Sequence, residues 1–185
     1  MAMRRLPFVL PEFTRLAWVS DRAREAVTAP ALAGGKPAVV DLGCGNGALL
    51  RLLRAEAARE LVPFGIDMAA DRIEHARQLH PGHVDNFTVG DIFDDTRLWR
   101  EGRRYRMVLL GARRLREVDR AAAQALLRRI AEHAELLLLY GYDRAAVSEM
   151  PSVLQRFGLT VDGGSGTPAV LVKPAAMPAP PTETP

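Results

Sequence analysis

In the stretch VVDLGCGNGALL, residues 39–50, glycines stand at Gly43, Gly45 and Gly47, with Asp41 just ahead of them and a leucine-rich run behind. Glycine at alternate positions lets a backbone turn sharply and come up against a ligand where a Cβ would obstruct it. The G-x-G-x-G spacing differs from the dinucleotide fingerprint G-x-G-x-x-G. Asp41 points the same way, because a carboxylate is a poor neighbour for a pyrophosphate and a good acceptor for an ammonium group. Two further carboxylates extend the pattern. Asp67, in FGIDMA and about twenty residues beyond Gly47, stands where a carboxylate takes both hydroxyls of a ribose lying across a sheet edge. Asp91, in VGDIF, is placed to hold an exocyclic adenine amine while Ile92 packs against the ring. Each has an ordinary reading as well: a plain strand-to-helix turn, a helix N-cap for Asp67, a turn aspartate for Asp91. Three carboxylates at the same edge of one sheet are harder to obtain by chance.

The elements that position them follow from periodicity. Short apolar runs (AVVDL, VPFGID, NFTVGD, RMVLLG, ELLLLYGY) alternate with helical patterns over 48–61, 70–79, 119–133 and 144–157. Strands recurring after such helices imply parallel pairing through crossovers, and the glycine stretch then ends the first strand and opens the first helix of a doubly wound α/β sheet. Ligands bind there, outside the carboxyl ends of the strands. Residues 12–27 read as an amphipathic helix after an irregular arm. LTVDGGSGTPAVLVKP reads as an antiparallel hairpin closing the sheet, and residues 174–185 as a disordered Pro-rich tail. The expected organisation is an arm and lid helix over 1–37, a ligand-binding domain over 38–173, and the tail.

A chain of 185 residues with 48% hydrophobic and 25% charged residues suits one globular domain. The net charge of +3 arises from 25 basic and 22 acidic residues interspersed along the chain, which argues against a nucleic-acid surface. A single cysteine, Cys44, allows neither an intramolecular disulfide nor a cysteine-based zinc site, and fits a reducing cytoplasm. No apolar run approaches the roughly 20 residues of a membrane span.

With these motifs in place, the sequence resembles the class I S-adenosylmethionine-dependent methyltransferases. VVDLGCGNGALL is similar to that family's glycine-rich first motif, GIDMAADRIEHAR to its acidic second, and FTVGDIFD to its third, over roughly residues 38–173. The resemblance implies a seven-stranded sheet of order 3-2-1-4-5-7-6 with strand 7 antiparallel, and S-adenosyl-L-methionine as cofactor. It places Asp41 and the loop Gly43, Cys44, Gly45, Asn46 and Gly47 around the methionine part, Asp67 on the ribose, Asp91 and Ile92 on the adenine, Met68 against the other adenine face, and Leu110 at the same edge. Cys44 is then a small loop residue, with no base predicted near it to make it a nucleophile.

The acceptor side is less marked. VLLGARRLREV stands where amide N-methyltransferases of the family carry Asn or Asp before Pro-Pro and an aromatic, which argues against adenine and glutamine amide acceptors. Candidate bases are Glu117, Tyr140, Tyr142 and Asp143, at or beyond the ends of the fourth and fifth strands. Arg113 and Arg114 together suit a bidentate clamp for a carboxylate or phosphate, and Trp18 in the lid helix offers a roof. His75, His80, His83 and His133 read as surface residues. The expectation is methyl transfer to O or N of a small, anionic molecule by a monomer or homodimer. Aminocarboxypropyl transfer, RNA methylation and, least favoured by the glycine spacing, nicotinamide chemistry are the rivals.

Overall fold

The first strand, β1 (Ala38–Leu42), lies at the middle of a sheet because its apolar residues are covered on both faces, as parallel strands require. The computed structural model describes residues 36–57, 60–141, 144–159 and 169–172. From β1 the chain runs through α1 (Ala48–Glu56), β2 (Val62–Asp67), α2 (Ala70–Leu79), a 3-10 turn (Pro81–Asn86) and β3 (Phe87–Val89). It then crosses, by a second 3-10 turn at Arg97–Trp99, to β4 (Tyr105–Gly111), α3 (Ala112–Glu117), α4 (Arg120–His133), β5 (Ala134–Tyr140), α5 (Arg144–Phe157) and β6 (Ala169–Val172).

The strand order is β3-β2-β1-β4-β5-β6. Strands β1 to β5 pair in parallel, and β6 runs antiparallel to β5. The chain winds outward from β1 to β3 and then returns to β4 on the other side, so the order reverses between β1 and β4, the place where an open α/β sheet leaves a crevice. This is a Rossmann-like α/β fold. Of the expected seven strands, six occur among the described residues; the strand and glycine turn expected at 160–168 lie outside them, as do Trp18 with the 12–27 helix, and the tail.

Both faces of the sheet are covered. Val40, Leu42, Ile66, Val108, Leu110, Leu137 and Leu139 pack beneath α3, α4 and α5, and Val39, Leu109 and Leu138 pack against Leu49, Leu50 and Leu53 of α1 and Ile73 and Ala76 of α2. Two elements depart from the sequence reading. Helix α1 stops at Glu56 instead of 61, because Leu61 is already core and the chain must straighten to deliver it to β2. Residues 112–117, which fall between the fourth strand and the 119–133 helix in the sequence reading, form the short helix α3, which buries Ala112 and Leu115 and turns Arg113, Arg114 and Arg116 outward.

Candidate cofactor site

Gly43, Gly45 and Gly47 all have left-handed φ values, 85°, 55° and 74°, which explains glycine at every second position. The backbone N–H groups of Gly43 and Cys44 both donate to Ile66 O at 2.9 Å, and Gly47 N–H donates to Cys44 O, so the loop is folded onto the end of β2. Cys44 is buried, and its thiol is pushed well above the ordinary range by burial and by the charges of Asp41 and Asp67, which makes it inert as a nucleophile. Asn46 accepts from Ala48 N–H at 3.2 Å and steadies the first turn of α1. A Cβ on Gly45 would meet nothing within 4 Å, so space opens in front of the loop at that residue.

Asp67 braces the loop from behind. Its Oδ2 accepts from Gly45 N–H and its Oδ1 from Ala69 N–H, both at 2.9 Å. Each oxygen keeps a second lone pair, so the side chain is an acceptor with capacity left for a ligand. It closes the turn ahead of α2 and does not cap the helix, contrary to the sequence expectation, since Ala69 holds the N-cap position.

Asp41 lies deeper, only 1% exposed. Its Oδ1 accepts from the Tyr140 hydroxyl at 3.2 Å, while Oδ2 is buried with no hydrogen-bond partner. Burial, opposed by the Tyr140 bond and assisted by the charge of Asp67, raises its pKa to about 7. A buried carboxylate oxygen without a donor is costly, and a cationic donor arriving at the loop would supply what is missing.

Toward the edge of the sheet, Met68 is 71% and Val89 40% exposed, an apolar pair at the carboxyl ends of β2 and β3. Val89 was not singled out by the sequence reading; its outward position in a three-residue strand was the available signal. Asp91 accepts from Phe93 N–H at 2.9 Å, an Asx turn, and Ile92 packs into the core. Asp95 and Arg97, also missed, form an ion pair whose guanidinium donates to Val89 O at 2.8 Å and holds the end of β3.

The acceptor-side candidates scatter. Tyr140 does not face an acceptor: it is 1% exposed and turned toward Asp41. Leu110, expected on the cofactor side, is wholly covered within the core beneath α3, α4 and α5. Glu117 pairs with Arg113 one helical turn away on the exposed side of α3. Arg114 lies across the glycine loop, its Nε 3.8 Å from where a Cβ on Gly43 would sit. Tyr142 and Asp143 fall outside the described residues. Among the histidines, His80 is fully buried, contrary to the surface reading, and His75, His83 and His133 are half-buried. The buried position follows from spacing, since Ile73, Ala76 and His80 share one face of α2. Among the described residues no cluster suits a metal ion, and no helix is long and apolar enough to cross a membrane.

The methyltransferase-domain family matches residues 39–135, more than half of the chain. No curated protein matches the sequence. Among solved structures, the mitomycin 7-O-methyltransferase is 20% identical, with a TM-score of 0.51 over 85% of this chain and 52% of that one. The CurJ carbon methyltransferase is 13% identical, with a TM-score of 0.62 over 87% of this chain and 54% of its own. Magnesium protoporphyrin IX methyltransferase from Synechocystis PCC 6803, solved with S-adenosylmethionine bound, is 18% identical, with a TM-score of 0.53 over 92% and 85%. At these identities the likeness is one of fold, and the chain spans about half the length of the first two. The glycine loop, the carboxylates at the sheet edge and the matching family agree: the chain belongs to the class I S-adenosylmethionine-dependent methyltransferases.

Proposed function

We propose that the chain methylates O or N of a small anionic molecule, with S-adenosylmethionine held across the carboxyl edge of β1, β2 and β3. The observation that carries the cofactor placement is the buried, partnerless Oδ2 of Asp41 just ahead of a loop with open space at Gly45. In this reading Asp41 accepts from the ammonium of the methionine part, Asp67 uses its remaining lone pairs on the ribose, and Met68 and Val89 flank the adenine near Asp91. When bound, the sulfonium supplies an already activated methyl group. The protein's work is therefore orientation and exclusion of water, and holding a nucleophile in line is worth on the order of 7 to 11 kcal/mol. Arg114, exposed beside Gly43, supplies the charge that draws an anionic acceptor to the mouth, and the 1–37 segment is proposed as the lid.

Incubation with methyl-labelled cofactor and a panel of carboxylate- and phosphate-bearing acceptors, followed by mass analysis, tests this. Label in an acceptor O- or N-methyl group is expected. Transfer of an aminocarboxypropyl group, or label only in RNA, overturns the assignment.

A further inference from the structure

Behind the glycine loop lies a histidine that the cofactor reading leaves without a task. His80 closes α2 and is fully buried. Its Nε2 is 3.1 Å from Gly47 O and its Nδ1 is 3.1 Å from Arg54 Nη1. A guanidinium only donates, so Nδ1 accepts and the ring hydrogen sits on Nε2, which donates to the Gly47 carbonyl. The ring stacks on Phe87 with centroids 4.8 Å apart. One imidazole thus joins the end of α2, the first residue of β3 and the left-handed residue where the loop becomes α1.

We infer that His80 is a positioning residue for the glycine loop, holding Gly47 only as a neutral imidazole, so that acid releases the loop and weakens binding of adenosyl ligands. Only the last clause rests on the cofactor reading above. Protonation would put a hydrogen on Nδ1 facing Arg54, removing the acceptor and setting two cations in contact. The charges acting on the ring are Arg54 and Arg51 of α1 and His83 of the following turn, all of one sign. Glu60, paired with Lys36, acts on Arg54 and His83. Burial foremost, then these cations, hold His80 below the ordinary imidazole range, against the favourable bond to Gly47. The held loop therefore takes up a proton less readily than the released one, and loses ground as pH falls below the ordinary histidine value of 6.5.

Amide spectra of the ligand-free full chain, taken from about pH 8 to about pH 5, follow Gly45 and Gly47 alongside the His80 ring. The Gly47 amide is expected to show a step at the His80 midpoint that is absent in His80→Gln, whose amide can donate to Gly47 O and does not titrate, while any step near pH 7 from Asp41, relayed to Gly45 through Asp67, is common to both proteins. Calorimetry with 5′-methylthioadenosine, which lacks the amino-acid part that Asp41 would hold, gives the functional readout. Its affinity is expected to fall at least about fivefold over that range in the wild type and less than about twofold in His80→Gln. A ring that stays neutral throughout, a ring that titrates while the Gly47 amide shows no step at its midpoint, or equal acid loss in both proteins overturns the inference. Failure of 5′-methylthioadenosine to bind even at the alkaline end overturns the cofactor reading instead, and the amides still decide His80.

Discussion

Tyr140, the last residue of β5, donates its hydroxyl hydrogen to Asp41 Oδ1 at 3.2 Å and so ties β5 to β1 across the intervening β4. The bond orients one carboxylate oxygen and leaves the other, Oδ2, buried without a donor, two residues ahead of the glycine loop. A tyrosine read from sequence as a possible base becomes, in the fold, the group that sets the charge and aim of Asp41, the residue proposed to accept from the cofactor's ammonium.

The first prediction is a pH profile. With the Asp41 pKa near 7, an ammonium ligand must displace a proton below that pH. Affinity for S-adenosylhomocysteine should rise through about pH 7 and then level, over and above any dependence shown by 5′-methylthioadenosine. Tyr140→Phe removes the bond that lowers the pKa, so the midpoint should move upward and neutral-pH affinity fall by about 0.5 to 1.5 kcal/mol. Calorimetry in buffers of different ionisation enthalpy reads both the affinity and the released proton. A flat profile takes Asp41 off the ammonium.

The second concerns stability without ligand. The folded pKa of Asp41 is raised from 3.8 to about 7, so between those values the native state keeps a proton that the unfolded chain has lost. Its contribution to stability falls as pH rises through that window. Asp41→Asn removes the penalty, so by thermal denaturation at pH above 7 the variant should exceed the wild type by a few kcal/mol, at about 1.4 kcal/mol per pKa unit. The same variant should lose S-adenosylhomocysteine. A variant less stable than the wild type above pH 7 would contradict the assigned burial cost.

How much of this was legible beforehand depends on the range of each interaction. The parallel core could be read because each strand is a short apolar run set off by helices, and the three left-handed glycines announced themselves by type. Asp67 was legible at its strand end, but its bond to Gly45 N–H spans 22 residues and has no local trace. Tyr140 required the register of β4 and β5, in which Gly111 stands beside Tyr140, before its face was known. Helix α3 was too short to show a period, and so the partnership of Arg113 with Glu117 within it went unseen.

Asp67 gives the third prediction. Because it accepts from both Gly45 and Ala69 backbone groups, Asp67→Ala should cost stability as well as affinity. Loss of cofactor binding by about 1.5 to 3 kcal/mol, the range for hydrogen bonds to a charged group, should accompany a lowered melting temperature. Calorimetry and thermal denaturation on one sample check both, and unchanged affinity in a folded variant would remove Asp67 from the ligand.

A fourth separates two glycines with similar φ. A Cβ at Gly47 would come within 3.2 Å of Ala76 Cβ and His80 Nε2, whereas at Gly45 it would meet nothing within 4 Å. Both alanine variants bear the left-handed penalty of about 1 to 2 kcal/mol. Gly47→Ala should therefore be the less stable, and Gly45→Ala the one that keeps its fold yet loses S-adenosylhomocysteine. Retained binding in Gly45→Ala would mean that no ligand enters the space in front of the loop.

The last prediction concerns the acceptor. Arg113 is engaged with Glu117 on the exposed side of α3, while Arg114 lies across the loop at Gly43. If an anionic acceptor is held by one guanidinium, it is Arg114. Arg114→Lys keeps the charge but loses the planar two-pronged contact, so kcat/KM for the acceptor should fall by about tenfold or more, since misplacement of about 1 Å costs on the order of a hundredfold. Cofactor affinity should change less than about twofold, because the clamp acts on the other reactant. Arg113→Lys should be nearly silent, as an exposed pair one helical turn apart is worth about 0.3 to 0.5 kcal/mol. Steady-state kinetics of both variants with the acceptor identified by methyl labelling decide the matter. Equal losses in the two would restore the paired clamp expected from sequence, and wild-type kinetics in Arg114→Lys would return that arginine to the solvated surface.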